Sequence, residues 1–324
     1  MSSLAIQETG AIESRDQIGV SLDEYKRKSR KDAISAILWG SGFILLHIVL
    51  LVFGVIGFSH LFRSLFFIIG IVSFAGGGWG YYQARRLTVK DLNEENEAQE
   101  FSKSIEKTPI IYTKAVLACL IVVAVLQLIT GDKESIQAAG LVKSAVWKGE
   151  TWRLFTCATL HVNFLHIWMN GQALIGLGRM TESLTNRAYL AIVFLPSAVC
   201  ASIFSLLLMP NTTSVGASGG LMGLVGFLAV LGYKRKEILP SGFFKSLLIY
   251  IGLMGVIGLV GFAIIDNAAH LGGLVAGVVF GLVLIRKADG VSLADASRLV
   301  RGLGWASLLA IAAVSLFSIV KILK

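Results

Sequence analysis

Residues 266–285, DNAAHLGGLVAGVVFGLVLI, decide the class of this protein. From Ala268 to Ile285 the stretch carries a single ionisable side chain, His270, in an otherwise small or apolar run. A helix needs about 20 such residues to cross the hydrocarbon core of a bilayer. Gly273, Gly277 and Gly281 follow His270 at +3, +7 and +11, which sets them on its face of the helix. Small residues in a row let two backbones approach closely in lipid. The stretch therefore reads as a membrane helix with a glycine face and one imidazole at its start. A polar group inside a membrane is costly unless paired, so His270 is a functional candidate.

Working outward, the chain has nine apolar segments, at 34–58, 64–83, 111–131, 161–180, 188–209, 218–233, 242–262, 268–285 and 303–320. It is 55% hydrophobic and 15% charged, with a mean hydropathy of +0.75. That leaves too few polar atoms to cover a soluble surface. The expected fold class is all-α, a polytopic membrane helix bundle with nine spans. The segment at 218–233 is short and glycine-rich, so its neighbours must shield it.

The net charge of +9 is read as Lys and Arg flanking membrane spans rather than as a nucleic-acid surface. With the N-terminus inside, 22 of the 29 Lys and Arg fall in cytoplasmic connections and 7 outside. This predicts a cytoplasmic N-terminus and an extracytoplasmic C-terminus. The basic, polar first 33 residues read as a cytoplasmic tail before an uncleaved first span, not as a signal peptide. Cys119, Cys157 and Cys200 form no CxxC pair and are odd in number, which argues against a disulfide framework or a zinc knuckle. The expected division is a tail over 1–33, a two-span hairpin over 34–83, a charged cytoplasmic linker over 84–110, a main helical core over 111–285, and a linker with an extra span over 286–324. The linker is placed by the polar run from Lys90 and by Pro109.

Four polar constellations stand out. Gly216-Ala217-Ser218-Gly219-Gly220 opens the sixth span. Small neighbours leave the Ser218 hydroxyl accessible, and unpaired N–H groups at a helix start can hold an oxyanion. Taken alone, the motif reads first as small-residue packing with Ser218 as a helix cap. His270 opens the eighth span, at the depth and on the side of Ser218. A serine needs a base to become nucleophilic, and histidine is the usual one. The other readings of His270 are a proton relay or a buried hydrogen bond. The partner expected for its glycine face is Gly219 and Gly223. The third constellation, His161 to Asn170, opens the fourth span. His161 is expected to begin that helix, with His166 and Asn170 sharing a face. Asn170 can donate to an oxyanion. The H-x4-H spacing does not favour a metal, and no metal is expected. In the fourth, Trp152 and Arg153 read as an interfacial anchor in the long connection 132–160, with Arg153 pairing with an acid as the other reading.

In their order and helix placement these motifs resemble the rhomboid family of intramembrane serine proteases. The resemblance covers about 111–285 and rests on Trp152-Arg153, His161, His166, Asn170, Glu182, Gly216-Ala217-Ser218-Gly219 and His270 with Gly273 and Gly277. It implies a six-helix rhomboid-like core, to which the span 303–320 and the N-terminal hairpin are additions. It also implies a Ser218–His270 dyad without an aspartate partner, and an oxyanion held by the Ser218 N–H, His166 and Asn170. Gly216 would shape the backbone on which a substrate lies. Glu182, Trp152 and Arg153 would be structural. Substrates would be membrane proteins with transmembrane helices, cut near the outer face after small residues. No cofactor is implied. Met222 stands where the family often has an aromatic residue, and Asp266 reads as a loop or capping residue rather than a triad member. A catalytically inactive rhomboid-like protein that binds client transmembrane helices is the alternative. A transporter fits less well, because the polar residues cluster at one end of three spans. The topology suggests a bacterial inner membrane with a site opening outward.

Overall fold

The computed structural model describes residues 21–61, 64–261, 265–285 and 296–324. Residues 1–20 of the expected tail, Arg63 and most of the 286–301 connection lie outside the described residues. The chain forms two compact units, residues 1–97 and 98–324.

In the first unit, α1 (Leu22–Val52) and α3 (Leu65–Ala84) form an antiparallel pair, with the one-turn α2 (Phe58–Leu61) between them. α1 begins well before the apolar segment at 34. Ser21 caps it through the Glu24 N–H, and residues 22–33 are mostly good helix formers. It stops at Val52, not 58, and Gly54 turns the chain with φ +70°. The two helices meet at glycines. A Cβ on Gly40 would lie 2.7 Å from the Gly70 carbonyl oxygen, and one on Gly77 2.8 Å from that of Ala33.

Within the stretch expected to be a linker, α4 (Val89–Glu106) fills most of the length. Thr88 and Asp91 cap each other's backbone N–H, and the run that follows is rich in Glu and free of Gly and Pro. Polarity marked a connection, but helix propensity decided its form.

The second unit holds α5 (Ile111–Thr130), α9 (Phe164–Leu184), α10 (Ala188–Leu208), α11 (Ser218–Lys234), α12 (Phe243–Val260), α13 (Asn267–Leu284) and α14 (Arg298–Ile322). Between α5 and α9 the chain folds into α6 (Asp132–Ala139), β1 (Leu141–Val142), α7 (Lys143–Trp147), α8 (Arg153–Thr156) and a 3-10 turn over Cys157–Thr159. β1 pairs antiparallel with β2 (Thr213–Ser214), Leu141 facing Ser214.

The protein is a polytopic helical membrane bundle. Among the described residues, α1, α5, α10, α13 and α14 are long and apolar enough to cross a membrane, and α11 and α12 are shorter apolar helices. Their outer faces carry Val122, Val125, Leu259, Leu309 and Leu316 in the open, as lipid-facing surfaces do. α11 is instead buried all round from Gly219 to Gly232. Its 17 residues span only about 25 Å, so its neighbours and not lipid enclose it.

α11 and α13 run parallel in backbone contact. A Cβ on Gly273 would collide with the Gly219 carbonyl, and one on Gly277 with that of Gly223. A Cβ on Gly226 would meet the Leu274 carbonyl oxygen in the same way. At the far end, Lys234 donates to the Leu282 and Ile285 carbonyls at 2.7 and 2.6 Å. That satisfies orphan acceptors at the end of α13. With both ends fixed, the two helix starts are held side by side.

Candidate active site

Ser218 is the first residue of α11, and His270 sits in the first turn of α13. Their side chains meet: His270 Nε2 lies 3.0 Å from Ser218 Oγ. When the hydroxyl donates, Nε2 is the acceptor and the ring carries its proton on Nδ1. Ser218 does not cap its own helix; Ala217 is the N-cap and makes no side-chain bond. The capping reading of Ser218 is thereby replaced by a side-chain pair.

The backbone before Ser218 is held from two sides. The Gly216 N–H donates to the Cys157 carbonyl at 2.9 Å, and β2 pairs with β1 just upstream. Gly216 has φ +130°, a region L-residues avoid. A Cβ there would also lie 2.8 Å from Cε1 and 3.1 Å from Nε2 of His166. The glycine thus serves two needs: it permits the turn, and it lets an imidazole sit against the chain two residues before the hydroxyl.

His166 lies in the first turn of α9, whose N-cap is Asn163, accepting from the His166 N–H at 2.9 Å. This corrects the expectation for His161, which precedes the cap and is outside the helix. His166 Nδ1 accepts from the Val162 N–H at 3.5 Å, which leaves Nε2 as the donor of the neutral ring. Asn170 is buried one turn on and spends one amide hydrogen on the His166 carbonyl at 3.0 Å. His161 packs edge-on against the His166 ring, 5.0 Å between centroids. Its own ring is buried with neither nitrogen bonded. Its backbone is clamped by Gln127, which donates to the His161 carbonyl and accepts its N–H, both at 2.9 Å. Gln127 was missed in the sequence, although a lone amide within an apolar span is the kind of signal that merits attention.

The other predicted polar residues are bonded to groups other than Ser218. Arg153 is buried and donates to Glu150 at 2.7 Å and to the Gln137 and Gly140 carbonyls at 3.1 and 2.8 Å. It staples the connection between α5 and α9 together, with its guanidinium over the Trp152 ring. Trp152 in turn packs against Phe317 of α14. Glu182 is near the opposite end of α9, about 18 Å along the axis from Asn170. Its carboxylate accepts the N–H groups of Ile111, Tyr112 and Thr113 at 3.0, 3.2 and 2.6 Å, and the Thr113 hydroxyl at 2.6 Å. A negative charge against the open N–H groups of a helix start is a favourable placement. Met222 is buried one turn after Ser218. Asp266 is the N-cap of α13, accepting the Ala269 N–H at 2.9 Å.

The membrane bundle thus brings a serine and an imidazole together at the starts of two parallel glycine-packed helices. Residues 148–287 match the family model of the rhomboid domain. The chain is 34% identical over 147 residues to RHOMBOID-like protein 6, mitochondrial, of Arabidopsis thaliana, covering 45% of this chain and 47% of that protein. It is 33% identical over 146 residues to RHOMBOID-like protein 1 of the same plant, covering 44% and 37%. It is 31% identical over 137 residues to the rhomboid protease GluP of Bacillus subtilis, covering 41% and 26%. Residues 148–287 thus match a rhomboid domain, and over that stretch the chain is similar to rhomboid proteins. It spans less than half the length of these relatives.

Proposed function

We propose that this protein is an intramembrane serine endopeptidase that hydrolyses peptide bonds in or near the transmembrane segments of other membrane proteins. The observation that carries the reading is the 3.0 Å approach of Ser218 Oγ to His270 Nε2 inside a rhomboid domain. In this mechanism Ser218 attacks the scissile carbonyl carbon while its proton passes to His270. The oxyanion that forms takes hydrogen bonds from the Ser218 N–H, the His166 Nε2–H and the Asn170 amide. Collapse expels the amine, which takes the proton from His270, and an ester links the acyl half to Ser218. A water then gives its proton to His270, attacks the ester, and frees the acid and the serine.

Asp266 stays outside this exchange, since its carboxylate serves the helix start and hydroxyls of neighbouring elements. The substrates of this reading are proteins with transmembrane helices, approached through the bilayer, with small residues before the cut. In this reading the N-terminus is cytoplasmic and the site opens to the extracytoplasmic side of a bacterial inner membrane, an orientation that the Lys and Arg distribution supports. The division proposed is a tail, a hairpin (34–83), a linker region (84–110), the catalytic core (111–285) and a C-terminal span.

The test is cleavage of a transmembrane reporter by the full chain in liposomes, beside Ser218→Ala and His270→Ala. Wild-type turnover with both variants silent is the expected result. Equal turnover in all three removes the protease reading. No turnover by any, with client helices still captured, favours an inactive client-binding protein.

A further inference from the structure

One carboxylate in this protein touches more elements than capping requires. Asp266 Oδ1 caps α13, four residues before His270. Oδ2 accepts the hydroxyls of Ser205 on α10 and Ser214 on β2. Ser214 lies four residues before Ser218. Its oxygen also accepts from Lys143 Nζ at 2.8 Å, and Lys143 donates equally to Thr212 at 2.8 Å. Lys143 is only 2% exposed. Burial pushes its ammonium below the usual lysine range, and the Asp266 charge opposes that shift. A buried ammonium needs compensating charge. Here it comes through one serine.

We infer that Asp266 is a positioning residue that, with Lys143 and Ser214, locks the chain leading into Ser218 to the helix start carrying His270. The claim rests on the protease reading for its catalytic consequence, but not for the lock itself. Both ends of the network are one turn or four residues from the paired side chains. The glycine contact sets how close α11 and α13 come; it does not fix the loops that enter them. The carboxylate does that, reaching β2 and α13 at once, and Lys143 holds β2 from the β1 side. Asparagine retains an acceptor for the Ala269 N–H but loses the charge that answers Lys143. Alanine loses both.

The experiment uses the full chain in liposomes, with Asp266→Ala, Asp266→Asn, Lys143→Met and the Asp266→Asn/Lys143→Met pair. Two readouts run in parallel: hydrogen exchange of residues 213–217 and 267–270, and kcat and KM on a transmembrane reporter. Asp266→Ala is expected to raise exchange in both segments together. It is expected to lower kcat about 10²-fold, the scale of a misplaced reacting group, with KM within about twofold. Asp266→Asn recovers part of that kcat, and removing Lys143 as well recovers more, because no unanswered ammonium remains. Faster exchange confined to 267–270 overturns the lock and leaves a simple helix cap. Wild-type kcat in Asp266→Ala overturns the catalytic consequence. If wild type itself cleaves nothing, the protease reading fails, and the exchange pattern still decides the lock. Should Asp266→Ala not fold, Asp266→Asn and Lys143→Met decide by the same two criteria.

Discussion

Among the described residues two Ser–His pairs form, and the shorter one is not in the rhomboid domain. In the N-terminal hairpin, His47 Nε2 lies 2.6 Å from Ser64 Oγ. Its Nδ1 is 2.8 Å from the Phe43 carbonyl, which fixes the proton on Nδ1 and leaves Nε2 to accept. By distance and tautomer alone this pair is better arranged than Ser218 and His270. The hairpin even shares the glycine contact of α11 and α13. What separates the two is the surroundings. Ser218 stands among Gly216, Ala217, Gly219 and Gly220, with His166 against the chain beside it. Ser64 stands between Arg63 and Leu65. A nucleophile acts only if a carbonyl can reach it and the resulting charge is held. Hydrogen bonding makes a Ser–His pair; bare backbone and oxyanion donors make a site.

The largest effects should fall on the core pair. Ser218→Ala and His270→Ala are each expected to lower reporter turnover by more than about 10³-fold, the scale seen when one member of a nucleophile–base unit is removed. A fluorophosphonate probe should label wild type and not Ser218→Ala. Labelling that persists in Ser218→Ala would move the nucleophile elsewhere, with Ser64 the first residue to examine. Next comes the feature the hairpin pair lacks. Asn170→Ala is expected to cut kcat about 10²-fold with little change in KM, because an oxyanion donor acts on the transition state. A pure KM effect would make Asn170 a substrate-binding residue instead.

The glycine contacts offer a matched pair of variants. Gly277→Ala puts a methyl into the Gly223 carbonyl and must part α11 from α13. Turnover should fall about 10-fold or more, since the proposed nucleophile and base sit on those two helices. Gly77→Ala makes the same kind of collision in the hairpin, with the Ala33 carbonyl. It should lower the unfolding midpoint in detergent and leave turnover per folded molecule unchanged. Equal losses of turnover in both would tie the hairpin to catalysis.

Periodic features were legible in the sequence and long-range polar contacts were not. The glycines after His270 repeat on a helical face, so their contact with Gly219 and Gly223 followed from spacing. Ser218 and His270 at like depth followed from counting spans. The clamp of Gln127 on His161 joins residues 34 apart, and the carboxylate of Glu182 joins helix ends 69 to 71 apart. No local pattern encodes either. The β1–β2 pair is two residues long on each side, too short for alternation to register. The polar run from Lys90 marks a connection, but its charge does not announce the helix α4. His161 was set in a helix because apolar content, not the Asn163 cap, drew the boundary.

The smallest expected effect is also the sharpest test of the comparison. Ser64→Ala removes the shorter Ser–His bond and should leave kcat and KM within about twofold. His47 keeps its bond to Phe43, so only the Ser64 hydrogen bond goes. A hydrogen bond between membrane side chains contributes about 0.6 kcal/mol on average, so stability should shift by little more than that. The measurement is reporter turnover normalised to folded protein, with thermal unfolding alongside. If turnover falls tenfold while stability holds, the hairpin pair takes part in the chemistry, and distance rather than surroundings was the better guide. If neither moves, a serine 2.6 Å from a correctly tautomerised histidine is chemically idle. The glycines and amide around Ser218 then carry the difference between a hydrogen bond and a nucleophile.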